Sequence, residues 1–127
     1  MTIDKRTVST AALAYLGDAV LELKVRRRML EEGYSSSKSL NTHARNYVSA
    51  PAQARAMERI LPVLDEEEQA AFRRGRNIGH TNTPKNATVA EYRAATGMEA
   101  LFGYLHVSGM EARIDELFSL AYPNDQE

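Results

Sequence analysis

The sequence predicts an all-α fold, and three observations carry the prediction. Apolar residues recur at three- and four-residue spacing, and no stretch of useful length alternates with period two. β-Branched residues are sparse. Capping residues and Gly or Pro breaks divide the chain into helix-length pieces. The 127 residues are expected to form one domain spanning 1–127, with no repeat, no low-complexity segment and no interdomain linker.

The first helix is expected to start near Ser9 or Thr10, whose hydroxyls can accept from free N–H groups, and to run to about Glu32, with Gly33 ending it. Leu13, Leu16, Val20 and Leu23 are expected to face the core. The Ser35–Ser39 run reads as a turn and cap for a second helix over Leu40–Val48. Ser49-Ala50-Pro51 restarts a helix, because Pro is tolerated in a first turn, and Pro62 ends it. Asp65 with Glu68 three residues later forms a capping-box signature for a helix through Phe72 to about Gly75. Residues 76–87 carry Gly and Pro and little apolar content, and read as a loop. Thr88 and Glu91 open a long helix to about Val107; Gly109 breaks it, and Met110–Leu120 forms the last helix.

Composition removes several function classes. Cysteine is absent, which excludes disulfide scaffolds, thiolate zinc sites and cysteine nucleophiles. His43, His80 and His106 are scattered without metal-ligand spacing; there is no Walker loop, no Rossmann glycine pattern and no G-x-S-x-G elbow. No apolar run approaches membrane-spanning length and no signal-peptide core opens the chain, so a cytoplasmic protein without a membrane partner is expected. The formal net charge of −1 argues against a nucleic-acid partner only until it is resolved along the chain. Residues 24–59 carry +5 and residues 73–93 carry +4, against −4 over 60–72 and −5 over 94–127. Such polarisation fits a basic binding surface, or charged helix faces in water.

Two acids lie where packing favours apolar side chains. Asp18 sits in Leu-Ala-Tyr-Leu-Gly-Asp-Ala-Val-Leu beside Gly17, two poor helix formers together, which suggests a needed carboxylate and a close backbone approach. A buried Asp bonded to a neighbouring helix is the plainer alternative. Glu99 lies in a second apolar run flanked by Gly97 and Gly103. If the two helices cross, both acids can share a cation, and carboxylates with water ligands suit Mg²⁺. Glu22, one turn beyond Asp18, is either a further ligand or an i,i+4 partner of Arg26.

The third feature is basic. Arg74, Arg76, Asn77, Thr83, Lys85 and Asn86, with His43, Arg45 and Asn46 upstream, offer donors for a nucleic-acid backbone. The loop carries no aromatic residue for stacking on unpaired bases, which favours a duplex. The alternative is a helix terminus whose arginines offset the helix dipole.

These segments resemble a known family. Leu13-Ala14-Tyr15-Leu16-Gly17-Asp18-Ala19-Val20 is similar to the signature helix of the ribonuclease III catalytic domain. Glu99-Ala100-Leu101-Phe102-Gly103 resembles its second acidic motif, and Arg73-Arg74-Gly75 the turn between them. With Tyr47-Val48-Ser49-Ala50, Arg74-Gly75-Arg76-Asn77, Pro84-Lys85-Asn86 and Tyr92-Arg93-Ala94-Ala95-Thr96-Gly97, residues 9–120 look like the short Mini-III branch, which lacks a separate double-stranded-RNA-binding domain.

The resemblance implies the helical ribonuclease III endonuclease fold and a homodimer whose valley holds double-stranded RNA. It implies Mg²⁺-dependent hydrolysis by Asp18 and Glu99 as catalytic metal ligands, and maturation of the 5′ and 3′ ends of 23S ribosomal RNA precursor. Longer family members carry a Glu where this chain has Ala14 and an Asp where it has Thr96. That departure leaves open the metal count, whether Thr96 or Glu22 joins the site, and a non-catalytic duplex-RNA-binding homodimer of the same fold.

Overall fold

The computed structural model describes residues 2–78 and 86–124, and among them there are helices and no strand. The helices are α1 (Thr10–Glu31), α2 (Ser37–Val48), α3 (Ala50–Ile60), α4 (Glu66–Arg76), α5 (Val89–Val107) and α6 (Glu111–Ala121), with one 3₁₀ turn at Leu61–Val63. Their ends follow the capping chemistry of the sequence. Ser9 Oγ accepts from Ala12 N–H, and Ser36 and Ser49 cap α2 and α3 in the same way. Asp65/Glu68 and Thr88/Glu91 both close reciprocal capping boxes. Gly33 and Gly109 terminate their helices at φ of 95° and 72°, where a Cβ would be strained.

α5 is the centre of the molecule and packs against α1, α3, α4 and α6. Met98, Ala100, Leu101, Phe102 and Leu105 are each at most 1 % exposed, so α5 is apolar around most of its circumference. Ala56, Met57 and Ile60 of α3 and Ile114, Leu117 and Ala121 of α6 complete that core.

Glycines set how closely α5 is approached. A methyl on Gly17 would overlap the Glu99 carbonyl oxygen and stand 2.8 Å from Gly103 N; one on Gly103 would overlap the Leu13 carbonyl. α1 and α5 therefore cross backbone to backbone. On α4, a methyl on Gly75 would lie 2.6 Å from Ala100 Cβ, and Gly97 leaves room for the Phe72 ring.

One expectation is overturned. Leu23 is 58 % exposed rather than in the core, whereas Leu16 is half-buried and packs against the core. The buried stripe of α1 runs Leu13–Gly17–Val20/Leu21–Val25–Met29, and Leu23 lies about 200° around the helix from Leu21. α1 has two apolar faces, and Ala12, Leu16, Ala19, Leu23 and Leu30 form the second.

Two charged devices fix α6. Arg28 Nη1 donates to the Tyr122 carbonyl at 2.8 Å and Arg59 Nη1 to the Ala121 carbonyl at 2.7 Å, satisfying groups at the helix end. Arg113 grips Glu68, which is 1 % exposed, through Nε–Oε2 and Nη2–Oε1 contacts of 2.8 Å each, and its Nη2 also donates to the Val63 carbonyl. That guanidinium holds the Glu68 carboxyl below its ordinary pKa.

Two outcomes follow for stability. Gly17→Ala costs about 3 kcal/mol or more because backbone cannot yield, seen as a fall in Tm of more than about 10 °C. Arg113→Ala leaves a buried carboxylate unpaired and costs about 3–5 kcal/mol. Because the Glu68 pKa is depressed, the pair's contribution is present above pH 4.5, the carboxyl's ordinary value, and is lost as pH falls below it. In thermal melts, the gap between wild type and Arg113→Ala is therefore widest at neutral pH and narrows on acidification.

Candidate active site

The glycine-mediated crossing places the two acids side by side. Asp18 follows Gly17 on the outer side of α1, and Glu99 belongs to the turn of α5 whose carbonyl Gly17 abuts. Asp18 is exposed and Glu99 half-buried. Burial, then the Asp18 charge, then a side-chain hydrogen bond to Asp18 push the Glu99 pKa up to about 8. In the metal-free protein the Glu99 carboxyl therefore keeps its proton at neutral pH.

The neighbouring positions add no acid. Ala14 is 8 % exposed on α1, and the Thr96 hydroxyl donates to the Tyr92 carbonyl at 3.1 Å. Glu22 accepts from Arg26 Nη2 at 3.5 Å, the i,i+4 pairing. Among the described residues no group of three or more His, Cys, Asp or Glu side chains gathers. The donor set is two carboxylate groups, one open to solvent. It fits a hard, oxygen-liking cation that keeps several waters, as Mg²⁺ does; the raised Glu99 pKa reflects burial first and then the Asp18 charge, and such a cation would offset both.

A cleft of about 580 Å³ opens beside Glu99, and Thr96, Tyr92, Asn86, Gln53 and Val48 are among its lining. Of the expected RNA-binding residues that are described, Asn86 is the one brought to this cleft. Arg74 lines a second groove of about 610 Å³ with Lys5, Arg6, Thr10 and Leu13. There Lys5 Nζ stands 5.4 Å over the Tyr104 ring, whose hydroxyl donates to Glu67 at 2.9 Å. Arg76 lies 5.7 Å from the Phe72 ring centroid, and Asn77 is the C-cap of α4. His43 stacks on Tyr34 at 4.0 Å and shares with Asn46 a third cleft near Glu32, at the far end of α1 from Asp18. Arg45 is exposed on α2. Thr83, Lys85 and His80 lie outside the described residues. The described members of this set thus line different grooves or helix ends. His106 contacts Glu111 at 2.8 Å on the surface, away from the acid pair.

Sequence reasoning missed Gln53, Lys5 and Arg6. Lys5 and Arg6 sit in a segment of net −1, where the block average hides them. Gln53 was legible only as a polar residue on the apolar stripe of α3, where it is 4 % exposed among Ala52, Ala56, Met57 and Ile60.

An all-helical frame that holds paired carboxylates at a helix crossing, with basic grooves nearby, has the makings of a helical endonuclease domain. The family model for the Ribonuclease III domain matches residues 11–110. A Mini-ribonuclease 3 of Symbiobacterium thermophilum is 47 % identical over 115 residues, covering 91 % of this chain and 88 % of the relative. One from Brevibacillus brevis is 40 % identical over 122 residues, covering 96 % and 91 %. The crystal structure of a Fusobacterium nucleatum protein superposes with a TM-score of 0.85 at 32 % identity, covering 97 % of this chain and 100 % of that one. The chain belongs to the ribonuclease III family, and is an endoribonuclease of that family.

The Glu99 shift makes a prediction for the metal-free protein. A carboxyl whose folded pKa is raised from 4.5 to about 8 costs the fold stability progressively as pH rises between those values. Glu99→Gln removes that cost, so in EDTA it melts above wild type at pH 8.5, by several degrees for each kcal/mol relieved. The difference closes at pH 4.5.

Proposed function

We propose that the chain is a Mg²⁺-dependent endonuclease of double-stranded RNA, working as a cytoplasmic homodimer that matures the 5′ and 3′ ends of 23S ribosomal RNA precursor. The observation that carries this reading is the Asp18–Glu99 carboxylate pair, held at the α1–α5 crossing with its charges in conflict. Family enzymes act on double-stranded RNA with a divalent metal, and the resemblance to the Mini-III branch supports the ribosomal substrate.

Asp18 and Glu99 would hold the ion, Asp18 from the solvent side and Glu99 from the half-buried side. When bound, Mg²⁺ would supply polarisation of the scissile phosphate and of a water for hydrolysis. Glu99 must release its proton for this role, so metal affinity rises with pH up to about 8. The backbone contact at Gly17 keeps both carboxylates in register while the phosphate is engaged. His43, Arg45, Asn46, Arg74, Arg76, Asn77, Thr83, Lys85 and Asn86 serve as donors to the RNA backbone and 2′-hydroxyls, spread over a long duplex. The second apolar face of α1, with Leu23 58 % and Leu30 62 % exposed, supports a second copy as its cover.

The small acid set gives specific support to a second reading, a duplex-RNA-binding homodimer without catalysis. Cleavage of precursor ribosomal RNA, with both ends mapped in Mg²⁺ and in EDTA, separates the two. Wild type cuts in Mg²⁺ and is silent in EDTA. Asp18→Asn folds and dimerises like wild type but loses about 10³-fold or more in turnover. Near-wild-type cutting by Asp18→Asn would overturn the proposed site, and duplex binding without any cutting would establish the second reading.

A further inference from the structure

Several cations are tied into the fold: Arg113 to Glu68, Lys24 to Asp115, and Arg28 and Arg59 to carbonyls at the end of α6. Lys5 and Arg74 are not. Both are exposed, and among the described residues neither enters an ion pair. Arg6 pairs with Asp4, two residues away, through side chains 87 % and 46 % exposed, a contact worth little in water.

These three cations come from the segment before α1 and from α4, and they line one groove of about 610 Å³. Glu67 is its one acid, and its carboxylate already accepts from the Tyr104 hydroxyl at 2.9 Å. Ser9 and Thr10 add hydroxyls to the lining. An excess of cations spread over two segments matches a run of phosphates better than a single small anion. The groove also stands close to the acid pair. Gly75, beside Arg74, packs against Ala100 and the Thr96 carbonyl, which flank Glu99 on α5. Thr10 lies eight residues before Asp18, about 12 Å along α1. A duplex engaged at the acid pair therefore has phosphates within reach of the groove a few nucleotides away.

We propose that Lys5, Arg6 and Arg74 bind the RNA backbone outside the cleavage point, with Lys5 and Arg6 as positioning residues that hold a strand in register with Asp18 and Glu99. The inference rests on the double-stranded-RNA reading above and extends it to the segment before the first helix. The contacts are to phosphates and 2′-hydroxyls, so they are independent of base sequence.

Anisotropy of a fluorescent RNA duplex in EDTA, followed over a range of salt, tests the groove. The double variant Lys5→Gln, Arg6→Gln is expected to bind about tenfold more weakly at low salt. It should also lose about 1.5 from the slope of log K against log salt, the counterions of two phosphates. The charge-preserving pair Lys5→Arg, Arg6→Lys keeps the wild-type slope. With Mg²⁺ present, the double Gln variant raises KM and retains kcat. The chain has no cysteine, so iron–EDTA can be tethered at Arg6→Cys in the Asp18→Asn protein. It should then cut a bound duplex at one discrete place near the mapped cleavage point. A wild type that binds no duplex even at low salt overturns the RNA reading and this inference with it. Wild-type binding with an unchanged slope in the double Gln variant, a loss confined to kcat, or tethered cleavage spread along the duplex overturns the groove assignment alone.

Discussion

The contact between the α1 and α5 backbones at Gly17 and Gly103 is the constraint on which the rest of the molecule depends. No side chain intervenes at the crossing, so the separation of the helices is set by main-chain atoms. The carboxylates of Asp18 and Glu99 inherit that separation. α5 itself can be so apolar only because α1, α3, α4 and α6 all pack against it. Further small residues, Gly75 and Gly97, repeat the device on the α4 side, bringing the arginine-rich end of α4 close to the α5 turn that holds Thr96. The site is therefore built on the most rigid part of the fold, with its polar periphery carried by helix ends.

Electrostatic conflict at this crossing is a design feature of the same kind. A half-buried Glu99 beside Asp18 is unfavourable in isolation, and the fold tolerates it because the hydrophobic core supplies ample compensation. Elsewhere buried charge is handled conservatively: Glu68 is matched by a two-pronged arginine, and Lys24 meets Asp115 at 2.8 Å. Among the described residues, the carboxyl whose pKa a like-charged carboxylate raises is Glu99, where chemistry is proposed.

Much of this was legible in the sequence. Serine, threonine and aspartate caps, both capping boxes and the glycine terminators located helix ends to within a few residues, because capping is a local interaction that neighbouring residues encode. The pairing of Gly17 with Asp18 and of Gly103 with Glu99 announced a close crossing. Leu23 was misread for a physical reason: spacing places residues along a helix, but on a helix with two apolar faces it does not say which face the core takes. The surroundings of Gln53 and His43 were not legible, because they are made by contacts between distant segments. His43 stacks on Tyr34 and sits near Tyr122, and the cleft of Gln53 joins α2, α3 and α5.

The arginines that hold the end of α6 bear on synthesis rather than on catalysis. Arg28 and Arg59 leave the ribosome long before their acceptors, the carbonyls of Ala121 and Tyr122, have been made. Until then α1 and α3 carry cationic arms with no carbonyls to hold, and Met57 and Ile60 lack the α6 residues that cover the core. These contacts thus close only once the last helix has been made.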